Sequence, residues 1–557
     1  MEETKRERYL KRKQQLWNER SSFITHWREI SDHIMPRTGR FFESDRNNGK
    51  KKHNNIINSK GTRALNTLAS GMMAGMTSPA RPWFRLATPD SDLMEFEPVR
   101  NWLDKTSRIM REIFARSNTY NSLHQMYLEL GAYGTAFTFI SPNFDDVIRH
   151  FPMTVGEYAL AIDSNQQVKT VYREIPMTVS QVIQEFGKDK VSANVINKYD
   201  SGNLDQWLTV IHVVEPRYDR DYGKKDGKNK AFKSIYFEAA ADGGKILRES
   251  GFDEFPGLAP RWMVLQGDVY GSSPGMEALG DIKSLQHKEL RNAQCIDYQT
   301  KPPIQIPLNM KGQEVNSLPG GVAYYDSSTQ NAGIKTQFEV NLNQQYLMMD
   351  IDRTERRIDQ AFYADLFLML ANDNRSGITA TEVAERHEEK MLMVGPVLER
   401  LHNEMLNPLI DITFSRMVQA GILPQIPQEL SGQNLQVDFV STLAQAQQLV
   451  GLGSLDRYAM TIGSIAAIKP DVLDKFDADQ FADVYAQRLG VDPSVIVSDD
   501  KVAIIRKSRQ EQLAQQQQMA MMQPMADAAA KVGSVETAGG ESNMLADVMQ
   551  GLQGYTT

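Results

Sequence analysis

The chain of 557 residues has a single cysteine, Cys295. One thiol excludes an intramolecular disulfide and fits a reducing compartment. A buried, inert Cys295 is the expectation. No run of about 18 apolar residues occurs, so no helix is expected to span a bilayer. The start, MEETKRERYLKRK, is charged and lacks the apolar core of a secretion signal. The Gly-Lys pairs at 187, 223, 227 and 244 lack a glycine five positions earlier, which argues against a phosphate-binding ATPase loop. His387-Glu388-Glu389 lacks the second histidine of a zinc protease, and the nine histidines do not cluster at zinc spacings. His387 and His402 are read as surface residues. Cations are also in deficit, with a net charge of −8. Tight grip on duplex DNA comes from neutralised phosphates, so an acidic chain is expected to touch DNA only weakly.

Hydrophobic content of 41% and charge of 24% are globular values. The length exceeds what one core supports, so three or four packing units are expected. Apolar spacing of three and four predicts an amphipathic helix over 3–35, with Leu16, Phe23, Trp27, Ile30 and Ile34 as its stripe and Pro36 ending it. The cations Lys5, Arg6, Arg8, Lys11, Arg12 and Lys13 read as a solvated face in preference to a phosphate site. A further helix is expected over 58–76, stopped by Pro79 and Pro82, with Trp83 and Phe84 anchoring the exit. Helices follow at about 95–116 and 119–131. Residues 136–255 are rich in β-branched and aromatic residues and read as strands. One short helix capped by Thr178 or Ser180 interrupts them, and a basic hairpin tip lies at 219–233.

Gly271, Pro274 and Gly275 predict a turn opening a helix to about Thr300, ended by Pro302 and Pro303. A proline- and glycine-rich stretch, 301–343, has short strands. Residues 341–370 then read as one helix with a narrow stripe of Leu347, Ile351, Ile358, Phe362 and Met369. Both signs of charge fill its other faces, so it needs neighbours to be stable. The run 379–421 keeps one apolar stripe across Pro396 and Pro408. It is either one long helix bent at the prolines or two or three ordinary helices broken there. A strand at 435–440 leads to a helix capped by Ser441, then helices at about 454–467, 470–487 and 499–523. Asp477 and Asp479 read as caps. The Gln, Met and Ala composition of 511–557 reads as disordered, with an ordered helix to about Lys531 the alternative. Asn372 to Gly377 has no acid at the first position of a calcium loop, and Val383 stands where the bidentate glutamate belongs.

Three segments in order carry a family resemblance. They are GMMAGMTSPARPWFRL (71–86), the series E-F-P, P-R-W, G-D-V-Y-G, P-G and A-L-G-D-I-K within 251–285, and T-A-T-E-V through V-G-P-V, L-N-P-L-I and G-I-L-P (379–424). With D-F-V-S-T-L-A-Q-A-Q beyond them, the chain resembles the portal (head-to-tail connector) proteins of short-tailed bacteriophages over about 60–510. The resemblance implies an α+β, mainly helical fold of wing, stem, clip and crown, with a β-rich wing segment and a small β clip, assembled as a ring. Its parts would be a wing (1–273), a first stem helix (274–300), a clip (301–343), a second stem helix (344–370), a tunnel loop (371–378), a long kinked wing helix (379–424), a crown (425–510) and a tail (511–557).

The resemblance also implies a channel at one capsid vertex through which viral DNA is packaged and ejected, built as a homo-oligomer, typically a dodecamer. Terminase would dock first and tail adaptor or nozzle proteins afterwards, with capsid and scaffolding proteins against the wing. The protein would lie in the virion, and in the host cytoplasm during assembly. No cofactor, metal, membrane contact or catalytic residue is expected. Asn372, Asp373, Asn374, Arg375 and Ser376 would line the tunnel loop, and Arg353, Arg356 and Arg357 the stem lumen. The rival readings are another ring-forming head-tail adaptor or neck protein, or a metal-dependent DNA hydrolase.

Overall fold

The computed structural model describes residues 4–41, 55–90, 93–94, 96–224, 226–240, 245–265, 267–301, 304–305, 335–336, 344–371, 394–430, 432, 435–440, 452–489, 497 and 501–514. It is a mixed helix and sheet protein whose chain divides into two compact units, Met1–Arg457 and Tyr458–Thr557.

In the first unit, α1 (Lys5–His33) opens on a capping box made by Thr4 and Glu7. Its stripe does what the spacing predicts: Leu16, Trp27, Ile30 and Ile34 are buried. The indole N–H of Trp27 donates to the Tyr133 carbonyl at 3.1 Å. α2 (Lys60–Met76) lies in the same core through Leu65, Leu68 and Met72. Next come β1 (Phe84–Ala87), α3 (Glu97–Arg116) and α4 (Thr119–Tyr133). Trp83 and Phe84 are both buried and stack near Phe114, anchoring the exit from α2 as expected. α4 ends on Gly134 in the left-handed region at φ +76. A Cβ there would stand 2.2 Å from the Gly271 carbonyl oxygen, so only glycine allows the two backbones to meet.

The strands form two main sheets. β2 (Phe137–Asn143), β3 (Val147–Met153) and β9 (Gly257–Leu258) pair in the order β3-β2-β9. β4 (Tyr158–Ile162), β5 (Val168–Thr178), β6 (Trp207–Pro216), β7 (Phe232–Glu238) and β8 (Arg248–Phe252) form a five-stranded antiparallel meander. Between β5 and β6 lie α5 (Val179–Phe186), capped by Thr178, and α6 (Ala193–Asp200), which the sequence reading did not anticipate.

The basic run of α1 is a correction. It is not simply a solvated face. Arg12 reaches Glu215 at 3.0 Å, Lys5 reaches Glu249 at 3.7 Å, and Lys13 meets Glu174. Arg6 donates to the carbonyls of Glu238 and Ala239. Glu174 and Glu215 are buried in the meander, and a buried carboxylate needs a partner. The charge run is therefore the seam that fixes α1 to the sheet.

The sheet also buries an Arg-His pair. Arg173 Nε donates to His212 Nδ1 at 2.8 Å, so the imidazole proton sits on Nε2, 2.8 Å from Ser234 Oγ. The ring stacks on Tyr236 at 3.9 Å. Burial, then the Arg173 charge, holds His212 well below the usual histidine range.

α7 (Pro274–Thr300) begins with Ser273 as its cap and Pro274 in its first turn. Cys295 is buried in it. β10 (Ile304–Gln305) pairs with β11 (Lys335–Thr336). α8 (Gln344–Ala361) and α9 (Ala364–Ala371) follow. Residues 394–401 are helical and run through a π turn, His402–Leu406, into α10 (Asn407–Ala420). β12 (Gln436–Phe439) returns to pair antiparallel with β1. The helix expected after Ser441 lies outside the described residues.

The second unit contains most of α11 (Leu452–Ala466), a 3-10 turn Pro470–Lys475, α12 (Ala478–Leu489) and helical residues 501–514. Asp477 accepts the backbone N–H groups of Asp479 and Gln480 at 3.1 Å, the expected cap. Asp479 itself takes a two-pronged bond from Arg506, at 2.6 and 2.7 Å, in place of capping.

Candidate functional site

α7 and α8 lie side by side and antiparallel. Asp281 pairs with Arg357 at 2.9 Å, and further along Lys288 pairs with Asp350 at 2.6 Å and donates to Thr354 at 2.8 Å. The Lys288 hydrogen bond holds Asp350 below the usual carboxylate range. α2 completes the joint: Lys60 lies 2.6 Å from Asp359, and Asn58 bridges Glu289 and Glu355 at 2.8 and 2.9 Å. Gln286 grips the backbone of Ile57 and Asn58 through three hydrogen bonds. Beneath these charges Ile282, Leu285, Ile351 and Ile358 are buried. The mixed charges of these helices thus serve first to join them to each other.

The opposite face of α8 carries Met349, Arg353 and Arg356. Two of the three candidate lumen cations, Arg353 and Arg356, are exposed there with no ion pair among the described residues. The third, Arg357, is also exposed but engaged by Asp281. Exposed apolar groups accompany them: Leu290, Ile296 and Tyr298 on α7, and Tyr346, Met348 and Met349 on α8. The loop candidates Asn372, Asp373, Asn374, Arg375 and Ser376 lie outside the described residues, as does most of 301–343.

The single helix expected over 341–370 is corrected. It breaks after Ala361, where Tyr363 takes a left-handed φ of +53. A non-glycine residue there costs about 1–2 kcal/mol. Tertiary packing supplies the reason. Phe362, Leu366 and Phe367 are buried, and Tyr363 packs at 6.1 Å from Trp262. Phe367 lies against Gly71 of α2, where a Cβ would come within 2.2 Å of the ring. The turn brings α9 onto that notch.

The helix from 394 keeps its stripe through Pro408, but the accommodation falls earlier than the proline itself. Pro408 has no N–H for the ordinary bond and its ring crowds the carbonyl four residues back. The π turn widens the helix there, and Asn407 N–H bonds to His402 O. The turn carries Glu404, which meets the buried Arg261. His402 is not a plain surface residue. It stacks on Phe439 at 4.1 Å, and burial lowers it to about 4. Beside the turn a cleft of about 380 Å³ opens between residues 165–169, 254–261 and 400–412. Burial raises Glu254 and Asp411 at its wall. Nothing in the sequence signalled the Glu404–Arg261 contact, which joins residues far apart in the chain.

Residues 6–497 match the family described as bacteriophage head to tail connecting protein. The chain is 55% identical over 555 residues to a probable portal protein of Bordetella phage BPP-1, covering 100% of both chains. It is 46% identical over 538 residues to the portal protein of Salmonella phage epsilon15, covering 96% of this chain and 97% of that one. Identity to the portal protein of Enterobacteria phage T3 is 20% over 479 residues, covering 82% and 81%.

Proposed function

Because this chain belongs to the bacteriophage head to tail connecting protein family and works as a portal protein, we propose that about twelve copies close into a ring at one capsid vertex. Duplex DNA enters and leaves through its centre. The observation that carries this reading is the α7–α8 pair. One face of each helix is consumed in their joint and in the core, while Leu290, Tyr298, Tyr346 and Met349 remain exposed on the others. Exposed apolar groups on a polar pair call for neighbouring copies, and a head-to-tail contact repeated by rotation closes a ring.

In this reading α7 and α8 are the stem and the β10–β11 ladder is the base of the clip. The run 394–420 belongs to the kinked wing helix, and residues 425–510 form the crown. The wing is everything before Pro274. Arg353 and Arg356 face the lumen, and Asn372 to Ser376 form a loop that touches the passing DNA. A duct must not hold its cargo. Copies at −8 each repel phosphate on average, so sparse cations guide DNA without arresting it. Energy for packaging comes from terminase docked at the clip, and tail adaptor or nozzle proteins take its place afterwards. Capsid and scaffolding proteins contact the wing. The chain does no chemistry of its own. Assembly takes place in the host cytoplasm, and the finished ring stays in the virion.

Removing Asn372 to Ser376 tests the lumen assignment. The shortened chain should still assemble with the parent's mass but package or retain less DNA. Normal packaging and retention by that variant would refute the loop's role.

A further inference from the structure

β6 and β7 are joined by residues 217–231, of which 217–224 and 226–231 are described, and side chains of this connection bond to one another and to its backbone. The Asp221 carboxylate accepts the Gly223 N–H at 3.0 Å, and Asn229 Oδ1 accepts the Asp221 N–H at 3.0 Å. Asp226 accepts the Asn229 side chain. Arg217 at the base is turned inward to Glu249 and the Ser250 carbonyl. Two of the acids of the tip are thus spent on the loop itself.

Asp219 is exposed, and aromatic and cationic groups face outward with it. Tyr218 is 91% and Tyr222 82% exposed. The Arg220 guanidinium lies 4.2 Å from the Tyr222 ring centre, covering one face and leaving the other open. Lys224 and Lys228 are exposed beside them, with Lys224 only loosely held by Asp221 at 3.3 Å and 68% exposed. No leucine, isoleucine, valine or methionine occurs between 217 and 231, so apart from its two tyrosines the tip is polar and rich in cations. Cations interleaved with open aromatic faces on an exposed connection suit phosphates and bases. In a chain of net charge −8 this is a local reversal of sign.

We propose that the β6–β7 tip is a nucleic-acid contact separate from the channel, with Arg220, Lys224 and Lys228 on the phosphodiester backbone and Tyr218 and Tyr222 on exposed bases or sugars. One tip binds weakly. Several tips on one ring bind by multivalency, so DNA lying against the outside of the assembly is held while DNA in the lumen slides. The inference rests on the reading that the chain works beside DNA, but not on threading.

The test uses the assembled full chain and a covalently closed circular duplex, which cannot thread a channel, with binding followed across a salt series. The parent should bind, with affinity falling steeply as salt rises. The triple variant R220A/K224A/K228A should bind at least about tenfold more weakly at low salt, with a log–log slope shallower by about 2–3 per tip engaged. Tyr218→Ala with Tyr222→Ala should weaken binding to a single-stranded oligonucleotide about tenfold or more, since each stacked base contributes about 1–3 kcal/mol. Acetylation of Lys224 and Lys228 in the unaltered protein should slow when the circle is added, which needs no variant to fold. A parent that ignores the circle, a triple variant that binds like the parent, or unprotected lysines would overturn the proposal. A shortened 372–376 loop that changes packaging but not circle binding would separate this contact from the channel.

Discussion

Glu404 Oε1 lies 2.7 Å from Nη2 of Arg261, and its Oε2 accepts the Arg261 backbone N–H at 3.0 Å and Nε at 3.2 Å. The second Arg261 Nη2 contact, at 2.8 Å, is the carbonyl of Gln166. One side chain in the π turn thus ties the helix that carries it to the loop before α7 and, through Arg261, to the β4–β5 turn.

Removing Glu404 leaves the Arg261 guanidinium, 2% exposed, with backbone carbonyls of Gln166, Asp268 and Val269 but without its carboxylate. Breaking a buried pair from one side costs about 3–5 kcal/mol. Glu404→Ala should therefore lower stability in denaturant unfolding by about 3 kcal/mol. A loss below about 1 kcal/mol would show that Arg261 finds another partner or water.

Glu129 gives a pH prediction. It is buried in α4 with neither oxygen within good hydrogen-bond geometry. Burial raises it from 4.5 to about 8, and Thr154 and Val155 offset only part of this. Between these values the folded chain keeps a proton that the unfolded chain has lost, so stability falls as pH rises through that window and levels off above it. Glu129→Gln should flatten the fall in melting temperature between pH 5 and 8. Parallel curves for parent and variant would contradict a buried neutral carboxyl.

The seat of α9 can be tested by a double-mutant cycle. Gly71→Ala places a methyl on the Phe367 ring and should cost about 1–3 kcal/mol. In a Phe367→Ala background the same change should cost much less, because the collision is gone. Equal costs in both backgrounds would mean the two residues do not meet.

These positions also mark what the sequence could and could not convey. α7 was legible end to end because Gly271, Pro274, Gly275 and the Pro302-Pro303 pair punctuate it. The break at Tyr363 was not. Gln360 to Leu366 contains no breaker, and the turn is imposed by Phe367 against Gly71, some 300 positions away in sequence. Pro408 announced a fault in its helix but not its form, since a π turn and a kink relieve the same clash. The cations of α1 were visible as a run, but their partners Glu174 and Glu215 lie on strands whose side-chain alternation shows only that they are strands. Of the candidate site, Arg353 and Arg356 could be placed on a helix face by period alone. That Arg357 is engaged by Asp281 required the antiparallel register of two helices.

Arg353 and Arg356 separate stability from transport. Each changed to Ala should leave unfolding within about 0.5 kcal/mol of the parent, because neither makes an ion pair among the described residues. Arg357→Ala should cost no more than about 1 kcal/mol, the range of exposed pairs. If Arg353 and Arg356 face the lumen, reversing both to Glu should slow DNA passage in a packaging assay with no loss of assembly. Unchanged passage would move them off the channel wall.

The native mass of the purified full-length protein, taken with a projection image of the same sample, bears most directly on the whole account. Charged helices with exposed Leu290, Tyr298, Tyr346 and Met349 should have closed into a ring of about a dozen copies around an opening wide enough for duplex DNA. A compact monomer at working concentration, or an assembly with no central opening, would contradict it.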